Sequence, residues 1–287
     1  MKKFLKTLWN VIWPFLVYYA ATLVVTFGMY IIYTGRQLLS GKGFDVETVY
    51  DTVMNGSLWQ VLIVSVIVIP IYWIAIRKER TVDAEITVDG EPTVVKSFER
   101  YKTYPFKTYI IMALCGAFAA IAANYFNYFA MLFIEDPLYD MVADALAAAP
   151  LWVEVIVAVI VGPLAEEVMF RGKLYETIDR AYGYVTAIIV TSLLFGIFHG
   201  NITQFIYATM LGFLLGYVRY KSGSLLLPVV MHVGANLCSV LMDVLMGIIP
   251  TPNIMYADLI IESLLAIVSL GVVVICVVYI NQVTRCE

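Results

Sequence analysis

Long apolar blocks separated by short polar breaks set the pattern of this chain. About 20 consecutive apolar residues carry a helix across the hydrocarbon core of a bilayer. That criterion predicts about eight spans, at roughly 9–33, 57–76, 108–134, 150–170, 184–199, 202–219, 224–249 and 258–280. The fifth and sixth are short and parted only by Gly200 and Asn201, so they form a tight hairpin that need not reach the far surface. Lysine and arginine collect in cytoplasmic loops. With the N-terminus placed inside, every one of them except Arg36 and Lys42 falls on the cytoplasmic side, while the outer loop at 135–149 holds only Glu135, Asp136, Asp140 and Asp144. One missed or extra span would scramble that distribution. Both termini are therefore expected in the cytoplasm.

The largest polar stretch, 77–107, is then cytoplasmic. Within it the β-prone residues on either side of Asp89-Gly90 have the composition of a hairpin. An isolated two-stranded hairpin is only marginally stable, so a solvated loop is the favoured reading.

Composition agrees with the spans. Hydrophobic residues make up 62% of the 287 and charged residues 14%, with a mean hydropathy of +0.86; soluble domains carry about 45–50% and about 25%. The expected fold is all-α: a polytopic membrane protein, one membrane-embedded domain over 1–287. It comprises N-terminal spans (1–149), core spans (150–249) and a final span with its tail (250–287). The charge-free stretch from Thr7 to Tyr33 is too long for a signal peptide and reads as a retained first span. Cys115, Cys238, Cys276 and Cys286 show neither metal-ligand nor disulfide spacing. No glycine-rich phosphate loop and no nucleic-acid-binding pattern is present.

Against this background, ionisable groups inside apolar sequence stand out, because they are expensive there and by default mark a functional site or an internal pair. Glu166, Glu167 and Arg171 close the fourth apolar run, and the chain's two histidines, His199 and His232, lie in two others. Glu167 and Arg171 are four apart on a helix, the better order for such a pair. Glu166 is rotated about 100° away. One carboxylate thus has a built-in cation and the other is left for general acid–base work. Gly162-Pro163 just upstream removes a helix hydrogen bond and is expected to kink the helix and open a pocket. Phe195 precedes His199 by four residues and supports its ring. His232 and Asn236, also four apart, share a face and offer donors to an oxyanion. The plainer reading of each is a polar link between membrane helices. Asp243 lies seven residues beyond Asn236 and is placed at the rim of the same face.

Glu166-Glu167-x-x-x-Arg171, Phe195-x-x-x-His199 and His232-x-x-x-Asn236, in that order on successive core segments, resemble the three motifs of the CAAX protease and bacteriocin-processing family, the glutamate-dependent intramembrane endopeptidases. The resemblance covers roughly 150–245. It implies a helical bundle with a conical catalytic cavity open to cytoplasm and lipid. It also implies that Glu166 and His199 activate a water, that His232 and Asn236 form an oxyanion hole, and that Glu167 and Arg171 shape the site. The fourth span must then continue past Arg171, so that Glu166 lies deep enough to meet His199. Implied partners are a peptide or protein substrate and the bilayer, with no nucleic acid; no oligomeric state is marked. The compact chain and lysine-rich N-terminus suggest a prokaryotic plasma membrane. No cofactor is expected. Zinc is a minor alternative, since two histidines and a glutamate can ligate it, but the His-Glu-x-x-His spacing is missing. The competing function is a non-catalytic peptide-binding scaffold or bacteriocin self-immunity protein that keeps the pocket; a damaged motif would favour it, and all three are intact.

Overall fold

The computed structural model describes residues 2–41, 44–88, 91–131, 133–248 and 255–285. In chain order it has α1 (Lys2–Leu39), α2 (Val46–Asn55), α3 (Ser57–Glu79), a hairpin of β1 (Thr81–Val88) and β2 (Glu91–Phe98), α4 (Phe106–Met131) and α5 (Pro137–Ala147). A central helix follows over Leu151–Tyr182. The chain ends with α9 (Tyr184–Phe198), α10 (Ile202–Ser222), α11 (Leu226–Ile248) and α12 (Met255–Val283). The central helix changes winding along its length. It runs as α6 (Leu151–Glu154), π1 (Val155–Val161), α7 (Gly162–Glu167), π2 (Val168–Leu174) and α8 (Tyr175–Tyr182). All eight apolar segments are helical, in an all-α multi-pass membrane protein.

The span count is lower than eight. Among the described residues five helices are long and apolar enough to cross a membrane, or six if α5 and the central helix, bent by 115°, count as one broken span. The physical reasons are length and polarity. At 15 residues, α9 rises about 22 Å, short of a hydrocarbon core of about 30 Å. α10 has the length but interrupts its apolar run with Gln204, Tyr207, Tyr217 and Arg219. Side chains such as Leu23, Val24 and Phe27 on α1 and Ile267, Val274 and Ile275 on α12 face outward, as lipid-facing surfaces do.

The favoured solvated loop within 77–107 is also corrected. β1 and β2 pair antiparallel from Thr81↔Phe98 to Val88↔Glu91; Asp89 and Gly90 lie outside the described residues. The pair is not isolated, because its open end is bolted to the bundle. Arg80 Nε donates to the Glu99 carbonyl (2.8 Å) and its guanidinium pairs with Glu176 (2.9 Å). Glu176 accepts in addition from Arg219 (2.8 Å) and from the Tyr101 hydroxyl (2.6 Å). This buried hub ties the ends of α3, α8 and α10 together.

Two packed cores flank the central helix. One joins Val64, Val68, Tyr72 and Ile76 of α3 to Met169, Phe170 and Leu174 of π2 and to Phe195 of α9. The other joins α4, α10, α11 and α12 around Met112, Leu215, Met231 and Ile280. The central helix runs on past Arg171, as the position of Glu166 requires, because nothing stops it before Gly183. That glycine, at φ +84°, takes a conformation a side chain would resist. Glu166 consequently sits at mid-helix.

Asp136 fixes the turn into the core. Its carboxylate accepts from the Thr203 backbone N–H at the start of α10 (2.8 Å) and from that of Tyr139 in α5 (3.2 Å), capping two helices at once. The Thr203 N–H holds this carboxyl below the usual carboxylate range, since a hydrogen bond to the charged form favours it. A depressed folded value makes the stabilisation complete above the unfolded aspartate value, about 3.9, and removes it as pH falls through the folded value. Asp136→Asn should therefore melt below wild type at pH 7, with the gap closing on acidification toward pH 3. Melting curves across that range check it; a gap independent of pH would refute the double cap.

Candidate active site

The carboxylates occupy a six-residue α segment between two π segments, a winding often met at functional sites. Glu167 and Arg171 are fully enclosed and pair through Oε1 and Nη1 at 2.8 Å. Arg171 also donates from Nη2 to the Gly212 carbonyl of α10 (3.1 Å) and lies 4.6 Å over the Phe195 ring. Its charge is thereby met by a carboxylate, a carbonyl and an aromatic face. Glu166 has no such cage. Its side chain keeps 24% of its exposure, and among the described residues the ionisable group paired with it is His232, whose Nε2 lies 3.7 Å away.

His232, 3% exposed on α11, stands between the two glutamates, with Nδ1 3.1 Å from Glu167 Oε1. A neutral imidazole donates from one nitrogen and accepts at the other. An ionised Glu167 carboxylate only accepts, so Nδ1 donates to it and Nε2 is the nitrogen that faces Glu166. One turn along α11, the Asn236 amide donates to the Ala158 carbonyl of π1 at 2.8 Å.

His199 ends α9, beside Gly200 at φ +78°. Its Nδ1 lies 2.8 Å from the Phe195 carbonyl, a bond that leaves Nε2 as the acceptor. Among the described residues no hydrogen bond or ion pair joins His199 to Glu166. Shared neighbours relate them instead. Tyr207 lies 6.4 Å from the His199 ring and within electrostatic reach of Glu166. Phe195 stacks edge-on against both imidazoles, at 4.9 Å and 5.6 Å.

The structure thus gathers Glu166, Glu167, Arg171, Phe195 and His232 into direct contact, links Asn236 to the same helix and places His199 one aromatic ring away. Two tyrosines were not among the sequence candidates. Tyr207 and Tyr18 both feel the Glu166 charge, and Tyr18 packs on Phe198 at 4.8 Å. With 20 tyrosines in the chain, no sequence signal separates these two. Asp243 interacts electrostatically with Glu154, Tyr139 and Tyr207, at the end of the site nearer α5. An apolar cavity of about 290 Å³ lies on the other flank of the central helix, where Leu164 and Val168 meet Ile69 and Trp73 of α3 and Leu225 and Val229 beside the start of α11. A second, about 400 Å³, between α4, α10 and α12 touches none of these residues.

Comparison with known proteins agrees with the motif reading. Residues 148–238 match the model of a family described as Type II CAAX prenyl endopeptidase Rce1-like. That segment holds Glu166, Glu167, Arg171, Phe195, His199, His232 and Asn236. The chain is also 27% identical, over 139 residues, to a candidate membrane peptidase of Bacillus subtilis strain 168, YdiL. This alignment covers 47% of the chain and spans only about half, 56%, of that relative's length. No solved structure matches.

Proposed function

We propose, on the premise that residues 148–238 are Rce1-like, that this chain is an intramembrane endopeptidase hydrolysing a peptide bond in a peptide or protein tail. The supporting observation is the unequal treatment of adjacent glutamates: Glu167 is locked to Arg171 and His232 with no exposure, while Glu166 is accessible and, among the described residues, has no lysine or arginine paired with it. A carboxylate held in low-polarity surroundings beside an imidazole is suited to take a proton from water.

In this mechanism Glu166, helped by His199, accepts a proton from water as the water oxygen bonds to the peptide carbonyl carbon. The oxyanion forms toward His232 and Asn236; the second Asn236 N–H, and the His232 Nε2–H when both ring nitrogens carry protons, would stabilise it. Collapse breaks the C–N bond, and the proton held by Glu166 passes to the leaving amine. Glu167 and Arg171 hold the geometry, and no cofactor takes part. The setting we propose is a prokaryotic plasma membrane, with both chain termini in the cytoplasm and the whole chain forming one domain.

A comparative peptidome tests this. Cells carrying wild-type protein, cells carrying Glu166→Gln at equal membrane level, and cells lacking the protein are compared. The same uncleaved precursor should accumulate in the last two. Wild-type processing in the Glu166→Gln cells would exclude Glu166 as the base.

A further inference from the structure

Where a helix passes from π to α winding, one carbonyl is skipped. In π1 the Gly162 N–H bonds to the Val157 carbonyl, five residues back. Continued π winding would carry the next N–H to Ala158, whereas return to α winding carries it to Val159 and passes Ala158 over. The same occurs after π2, where the Tyr175 N–H bonds to Phe170 and Arg171 is skipped. Both skipped carbonyls are taken by side chains from other helices: Ala158 by Asn236 of α11 (2.8 Å) and Arg171 by Arg219 Nε of α10 (3.1 Å). The first socket differs in one respect. The residue after Gly162 is Pro163, which has no N–H and whose ring crowds the carbonyl four residues back. Nothing at position 163 can bond to Ala158 from within the helix.

We infer that Pro163 is a positioning residue for Asn236: it keeps the Ala158 carbonyl open, and that carbonyl fixes the plane of the Asn236 amide. The amide has two N–H donors. With one held by Ala158, the other is set in a single direction, and Asn236 stays half-buried at the site. A donor aimed at an oxyanion stabilises it only if already oriented. The consequence for turnover rests on the proposed hydrolysis; the placement of Asn236 does not.

The test is a double-mutant cycle on the full chain with two readouts. Pro163→Ala restores an N–H, letting the helix claim its own carbonyl. In the wild-type background Asn236→Ala should lower the apparent melting temperature by about 2–4 °C, as loss of one hydrogen bond does in a chain of this size class. In the Pro163→Ala background it should lower it by less than half as much. Equal losses in both backgrounds overturn the inference. Pro163→Ser restores the same N–H and serves if Pro163→Ala fails to accumulate. For turnover, the probe is the precursor that accumulates in Glu166→Gln cells. Pro163→Ala should lower kcat by roughly tenfold or more with KM nearly unchanged, and adding Asn236→Ala should cost little further. Multiplying losses overturn the inference. If no precursor accumulates, the hydrolytic reading fails, while the melting cycle still decides whether Pro163 places Asn236.

Discussion

Arg171→Met is expected to lower stability by about 3–5 kcal/mol. The side chain has no exposed surface and meets Glu167, Gly212 and the Phe195 ring. Methionine fills much of the same volume but leaves the fully enclosed Glu167 carboxylate with only the His232 Nδ1 contact among the described residues, and takes the side-chain donor from the Gly212 carbonyl. A carboxylate stripped of its cation costs far more than the intact pair contributes, because burial has already removed its water. Apparent melting of the purified protein should fall by roughly 6–20 °C at 2–4 °C per kcal/mol. Arg171→Lys keeps the charge but loses the planar fork that reaches two partners, and should lie between. The decisive measurement is the double variant Glu167→Leu/Arg171→Met, which removes both charges and should regain much of the loss. If it melts no higher than Arg171→Met alone, the penalty comes from packing and the stranded charge is not its cause.

That pair also shows which interactions sequence can reveal. Four-residue spacing on a helix makes neighbours by geometry alone, so Glu167 with Arg171 and Phe195 with His199 were legible, as was the rotation that sets Glu166 apart. The seating of His232 against both glutamates was not, because it lies 65 positions from Glu167 in the chain and helical packing, not spacing, joins them. Asn236 was picked out as a donor, but its first partner proved to be a backbone carbonyl that only the change of winding at π1 exposes. Gly162-Pro163 announced a break there without saying of which kind. The hairpin at 81–98 was underrated for a related reason. Its own residues give marginal stability, and what secures it is Arg80 reaching Glu176 on a distant helix. Apolar composition made the membrane setting plain, yet composition cannot distinguish a crossing helix from a short one enclosed by others, and the span count suffered at α9 and α10.

Gly234→Leu should prevent the bundle from assembling, and Gly234→Ala should already damage it. α4 and α11 touch backbone to backbone. A Cβ placed on Gly234 would fall inside the Ala113 carbonyl of α4, and one placed on Gly116 would fall inside the Met231 carbonyl of α11. Small residues permit such approach between membrane helices, where packing rather than water exclusion drives association. The obstruction is main chain, so no side-chain rotation relieves it and the helices must separate. Overpacking costs about 1–3 kcal/mol where neighbours can shift; against fixed backbone, alanine should sit at or above the top of that range and leucine well beyond it. Function should fall with stability in Gly234→Ala, since Gly234 lies between His232 and Asn236 and any displacement of α11 moves both. Gly271 of α12 supplies the control, because a Cβ there meets nothing within 4 Å. Gly271→Ala should leave melting unchanged or raise it slightly, as alanine is the better helix former. Membrane yield and apparent melting temperature of the three variants decide the matter. Gly234→Leu protein that accumulates and melts like wild type would mean that α4 and α11 do not meet at these glycines.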